Sequence, residues 1–152
     1  MIRGMPRRYT AIQYAVFNPH SHELQISSAG MPGPFHLSAS GCCNLKLCGI
    51  PPGLFAAANY ETLTLRLLAG DAVLFCTDGI ADAFNRKEEQ FGIERLQEIC
   101  DAQQFASPSE LLARSSPLSR IFPQTGTARR YGCGTLSFLQ LSDAGGCAHK
   151  SI

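Results

Sequence analysis

Residues 70–92 read GDAVLFCTDGIADAFNRKEEQFG, and this stretch decides the fold. Its segment 72–76 (AVLFC) is continuously apolar, as expected of a strand covered on both faces. Ala69-Gly70-Asp71 forms a tight turn before it, and Thr77-Asp78-Gly79 stands at its C-terminal end. A carboxylate at that point is held rigidly at the sheet edge, and Gly79 lets the backbone turn sharply behind it. Carboxylate oxygens in fixed positions suit hard cations such as Mg²⁺ and Mn²⁺. Asp78 also has a plainer reading, as the cap of the helix that follows.

Working upstream, strands dominate. Residues 60–67 (YETLTLRL) alternate, with Leu63, Leu65 and Leu67 on one face. Residues 10–17 (TAIQYAVF) and 23–29 (ELQISSA) flank the turn Asn18-Pro19-His20-Ser21 and predict an antiparallel hairpin. Residues 30–34 (GMPGP) break the pattern. A second hairpin is expected from 35–37 and 44–47, joined by Ser38-Ala39-Ser40-Gly41, with a loop at 50–53. Downstream the period changes. Residues 91–100 (FGIERLQEIC) put Phe91, Leu96, Ile99 and Cys100 near one helical stripe. Ser107-Pro108-Ser109-Glu110 predicts a second helix, with Ser107 as N-cap and Glu110 at the third helical position. The pattern fades after Ala113, returns as one strand at 135–141 (TLSFLQL), and ends in a loose tail at 145–152. These elements define an α+β class.

Composition bounds the function. With 152 residues, 45% of them hydrophobic, the chain fits one domain with a real core. Lys+Arg is 13 and Asp+Glu is 12, for a net charge of +1, so nothing argues for nucleic acid as a partner. No run of apolar residues is long enough to span a membrane. Arg3, Arg7 and Arg8 precede no apolar segment of the secretory type. The 7 cysteines contain no C-x-x-C pair, which argues against structural zinc and for reduced thiols in a cytoplasmic protein.

Seven short segments carry a family signature: Tyr9-Thr10, Ala29-Gly30-Met31-Pro32, Ile50-Pro51-Pro52-Gly53-Leu54, Leu68-Ala69-Gly70-Asp71, Thr77-Asp78-Gly79, Asp82-Ala83-Phe84-Asn85 and Phe91-Gly92-Ile93-Glu94-Arg95-Leu96. In order and spacing, residues 8–112 resemble the second half of the metal-dependent PPM (PP2C-type) serine/threonine phosphatases, in their bacterial SpoIIE/RsbU-like branch. The resemblance implies part of an αββα sandwich of antiparallel sheets flanked by helices. It implies a hydrolase in which two Mn²⁺ or Mg²⁺ ions activate a water against phosphoserine or phosphothreonine. It makes Asp78 a metal ligand and Gly79 the turn at that ligand. Asp82 stands where the family often has Glu, either helping the metal shell or lying on a helix surface. Asp71 matches a turn residue with a structural role. The implied substrate is a regulatory phosphoprotein of the anti-sigma-factor-antagonist type, in signal transduction, with sensor or receiver domains upstream.

The chain also departs from that pattern. The family's upstream D-x-x-G-H-G segment, whose Asp bridges both metals, is absent, so the N-terminal half of the domain is expected to be missing here. The closing D-D-x-T is replaced by Gly132-Cys133-Gly134-Thr135, and Asp143 is the only acidic residue after Glu110. A neutral thiol or a glycine cannot replace a carboxylate for a hard cation. One remaining carboxylate cannot hold a binuclear centre, so this chain alone is expected to be inactive and not to bind Mn²⁺ or Mg²⁺ stably. Residues 128–133 (ARRYGC) can be encoded so that a one-base shift reads Gln-Asp-Asp-Met-Ala-Val, a good family ending. Residues 113–152 are thus expected to be an out-of-frame or a divergent tail.

The other candidates have plain readings. His20 and His22 sit in a hairpin turn, and His36 is a satisfied strand histidine; His149 falls in the tail. Alternation points Cys76 away from the metal side and into the core, and Met31 replaces the histidine usual after Ala-Gly. Arg129-Arg130 reads as a solvated pair, with phosphate binding as the alternative. Three readings follow: a fragment of a protein phosphatase, a degenerate non-catalytic binding module of the same fold, or a non-functional remnant. In each, an uncovered sheet face invites self-association.

Overall fold

The computed structural model describes residues 10–55, 57–85, 87–102, 136–141 and 147–151. In chain order the elements are β1 (Ile12–Asn18), β2 (Glu23–Ala29), β3 (Phe35–Ser38), β4 (Gly41–Asn44), β5 (Thr62–Arg66), β6 (Ala72–Cys76), α1 (Asp78–Ala81), α2 (Ile93–Asp101), β7 (Leu136–Leu141) and β8 (Cys147–Ser151). They form two antiparallel sheets, one ordered β1-β2-β5 and one ordered β4-β3-β6-β7-β8. No helix among the described residues is long and apolar enough to cross a membrane.

Alternation decides which face of each strand is buried. In β2 it sends Leu24 and Ile26 inward, where they meet Leu67, Val73, Leu141 and Leu47 between the two sheets. Phe17, Leu63, Leu65, Phe75 and Leu139 close the edges of this layer. The central strand β6 is buried on both faces. Val73 points to the small sheet, while Ala72, Leu74 and Cys76 point the other way. That second face is covered by Phe91 and by Leu96 and Cys100 of α2, with Phe35 and Leu37 beside them. Full burial of each large side chain contributes roughly 1.5–3 kcal/mol.

The layers are therefore sheet, sheet, helix. The outer face of the three-stranded sheet has no helix over it among the described residues. Ile12, Tyr14 and Val16 of β1 stand exposed there, Tyr14 at 65%. The α+β class and the antiparallel sandwich are as the sequence predicts.

Several boundaries differ from expectation. The second hairpin turns at Ala39 and Ser40, so its returning strand is Gly41–Asn44 instead of 44–47. Leu47 is buried, but it packs between the sheets outside any strand. Helix α2 starts at Ile93 because Gly92, at φ 78°, turns the chain ahead of it. The expected loose tail at 145–152 contains β8, paired along β7 from Ser137↔Ser151 to Leu141↔Cys147. Both β7 and β8 arise from the segment expected to be a divergent or out-of-frame tail. The predicted helix at Ser107 and the Arg129-Arg130 pair lie outside the described residues.

Candidate functional site

The site is built at the C-terminal end of β6. A turn launches that strand: the Asp71 amide donates to Leu68 O at 2.9 Å, with Gly70 at φ 88° in the position that a type II turn reserves for glycine. Asp71 itself is buried, and its Oδ2 accepts the Leu68 amide at 2.9 Å and lies 3.1 Å from His36 Nε2. Both residues are structural, as expected from the sequence. A second tie joins β6 to β7, since the Leu141 amide donates to Asp71 O and the Gly70 amide to Leu141 O, each at 3.0 Å. The strand is thus clamped at its start and delivers its end at a fixed place.

At that end Thr77 is extended (φ −87°, ψ 159°) and is the N-cap of α1. Asp78 is the first helical residue, so the capping role considered for it falls to Thr77, which makes no side-chain cap hydrogen bond. The Asp82 amide donates to Asp78 O at 2.8 Å and closes the short helix. Asp78 is exposed. Gly79 is the second residue of α1 and is not among the glycines with positive φ. Gly79 is therefore a helical residue beside Asp78 with no left-handed backbone. Asp82 is also exposed, and its Oδ1 accepts from Gln90 Nε2 at 2.8 Å.

The segment after α1 folds back onto it. The Phe91 amide donates to Ala83 O at 2.7 Å and the Gly92 amide to Ala81 O at 3.0 Å. Asn85 organises the reversal: its Oδ1 accepts the Lys87 and Glu89 amides at 2.8 and 3.0 Å, and its Nδ2 donates to Glu89 Oε2 at 2.7 Å. Sequence reasoning noted Asn85 but assigned it no role. Its spacing before a charged loop is the signal for such a side-chain-built turn. The segments Ala29-Gly30 and Ile50-Pro51 also meet. Gly30 is at φ 78°, and a Cβ there would stand 2.5 Å from Pro51 Cγ.

Behind the edge, Cys76 is buried, as predicted. Burial, then the charge on Asp78, push its thiol up from 9.0 to about 11. Register places Leu136, the first residue of β7, opposite Cys76. Residues 132–135, which stand where the family has D-D-x-T, immediately precede Leu136 and lie outside the described residues.

This donor set can be tested against a hard metal. Among the described residues no three His, Cys, Asp or Glu side chains converge to hold an ion. Asp78 is one carboxylate, and Asp82 is engaged by Gln90. These residues do not by themselves fit the binuclear centre of the related phosphatases, which needs several oxygen ligands.

Two packed antiparallel sheets with a helix layer on the larger one make up the described fold, and comparison with known proteins gives its family. The chain belongs to the SpoIIE (Stage II sporulation protein E) family, whose model matches residues 2–116. Among solved structures it is similar to the phosphatase domain of the cell fate determinant SpoIIE from Bacillus subtilis, at 12% identity and TM-score 0.64, over 88% of this chain and 59% of that one. It is also similar to the SiaA PP2C domain of Pseudomonas aeruginosa, at 19% identity and TM-score 0.55, over 68% of this chain and 42% of that one. A third likeness is to the RsbU and RsbW domains of a Mycobacterium tuberculosis protein, at 23% identity and TM-score 0.53, over 79% of this chain and 33% of that one. These structural likenesses concern the fold. The chain spans less than two thirds of each of these structures. Comparison with curated proteins finds no match.

Proposed function

We propose that this chain supplies the central-strand edge of a metal-dependent phosphoprotein phosphatase domain, with Asp78 as one ligand of a Mn²⁺ or Mg²⁺ ion. The observation that carries this reading is the exposed Asp78 at the end of a strand buried on both faces, next to the start of β7. Asp78 is an acidic residue in the first turn of α1 and is not its N-cap. The substrate of the assembled domain is a phosphoserine or phosphothreonine on a regulatory protein of the anti-sigma-factor-antagonist type, in the cytoplasm. In this reading the polypeptide alone is inactive, because a single carboxylate is too few oxygen ligands for a binuclear centre.

Among the described residues no helix covers the outer face of the three-stranded sheet. Ile12, Tyr14 and Val16 are apolar residues on an edge strand, and in the isolated chain they drive self-association.

The ligand assignment is tested by Mn²⁺ titration of the isotopically labelled chain. A single carboxylate binds weakly, yet the paramagnetic ion broadens amide signals of nearby residues. Broadening centred on Thr77, Asp78, Gly79 and Ile80 that disappears in Asp78→Asn supports the assignment. Broadening centred elsewhere, or unchanged in Asp78→Asn, refutes it.

A further inference from the structure

Two thiols from distant parts of the sequence meet on the helix side of the larger sheet. Cys42 lies in the edge strand β4, and Cys100 lies near the end of α2, which packs against β4. Cys100 is fully buried in the cluster that also holds Phe35, Leu37 and Leu96, and Cys42 packs against that cluster while half-buried. The backbone fixes this approach: the Cys42 amide donates to Asp101 Oδ1 at 3.0 Å, and Asp101 directly follows Cys100. Cys42 and the buried Cys100 thus share one packed cluster, with the Asp101 contact holding the two backbones side by side. Both are free cysteines. Neither belongs to the Asp78 edge.

We propose that Cys42 and Cys100 are a disulfide-forming pair that a small-molecule disulfide oxidises, locking α2 onto the edge strand β4. Thiols packed into one cluster have to close to about 2.05 Å between sulfurs to bond, a change that side-chain torsions supply. The half-buried Cys42 reacts first: its thiolate attacks the oxidant RSSR, forming a mixed disulfide and releasing RS⁻. Cys100 then gives up its proton and attacks the Cys42 sulfur, expelling the second RS⁻. In sum, two protein thiols and one RSSR yield one protein disulfide and two RSH. Contact with Cys42, together with burial, holds the Cys100 thiol well above the ordinary thiol range. The second step is therefore slow at neutral pH and quickens as pH rises.

Alternation separates this pair from its neighbour. Cys43 follows Cys42 in β4 and is exposed, as is Cys48. Cys76 is buried in the same cluster but sits on the central strand. Among the described residues no three His, Cys, Asp or Glu side chains are grouped to hold a metal.

The test is disulfide mapping of the full 152-residue chain. The chain is treated with oxidised glutathione in native buffer, quenched with iodoacetamide, digested without reduction, and read by mass spectrometry. A parallel sample is oxidised in urea. The expected native product is a dominant Cys42–Cys100 link that dithiothreitol reverses, against a mixture of pairings in urea. Cys43→Ser retains the link, and Cys42→Ser loses it; if Cys42→Ser does not fold, the native-against-urea comparison decides alone. The proposal is overturned if the native pairings match those in urea, if another pair such as Cys43–Cys48 dominates, or if Cys42 and Cys100 are both recovered alkylated.

Discussion

His36 Nε2 lies 3.1 Å from Asp71 Oδ2, and this one contact ties β3 to the turn that launches β6. Both side chains are largely buried, at 16% and 7% exposure. An ionised carboxylate only accepts, so Nε2 is the donor. Asp71 also takes the Leu68 amide, so its removal strands two donors at once. Asp71→Ala is expected to destabilise the chain by about 2 kcal/mol or more, in line with buried groups left without partners. His36→Ala should cost less, since Asp71 keeps the Leu68 amide. Urea unfolding of both single variants and the double variant checks this, and the double variant should fall short of the sum.

Gly30 closes the end of β2 against the Ile50-Pro51 loop. Its positive φ and the Pro51 ring leave no room for a side chain. Gly30→Ala is expected to lower stability by about 2 kcal/mol, through left-handed strain plus overpacking. Pro51→Ala in the same background should recover part of that loss, which thermal unfolding reads directly.

Cys76 couples the core to the edge electrostatically. Its thiol is raised from 9.0 to about 11 in the fold, so the folded state holds that proton more tightly than the unfolded one. The resulting stability is fully present below pH 9 and is lost as pH rises toward 11. The loss is on the order of 3 kcal/mol. Stability measured across this window should fall less steeply in Cys76→Ala. Asp78→Asn should lower the Cys76 titration midpoint, read by thiolate absorbance.

The exposed stripe of Ile12, Tyr14 and Val16 predicts concentration-dependent association of the isolated chain. Sedimentation velocity should show a mass that rises with concentration. Tyr14→Lys with Val16→Lys should shift it to monomer without changing the fold, because both side chains face outward. A wild-type chain that stays monomeric at every concentration contradicts this prediction.

Local pattern made much of this fold legible. Strand β2 matches its sequence expectation because alternation ran uninterrupted between the Asn18-Pro19 turn and Gly30. Strand β6 matches because a solid apolar run stands between Gly70-Asp71 and Thr77. What escaped was set by distant partners. Leu45 and Leu47 read as strand residues, yet the Leu45 amide pairs with Pro34 O and Leu47 fills the space between sheets. Strand β8 exists through pairing with β7, which no local period encodes. At the site, the placement of Asp78 was legible from the strand that precedes it. The roles of Thr77 as cap and of Gln90 as partner of Asp82 were not, since both depend on how the chain folds back after α1.

The central proposal is that Asp78 is one metal ligand of a phosphatase edge and that this chain alone does not hydrolyse phosphate esters. The most direct test is hydrolysis of p-nitrophenyl phosphate across a Mn²⁺ series, comparing the wild-type chain with Asp78→Ala. The account predicts equal, background rates for both proteins at every Mn²⁺ concentration. Hydrolysis that rises with Mn²⁺ in the wild-type chain and is abolished by Asp78→Ala would contradict it.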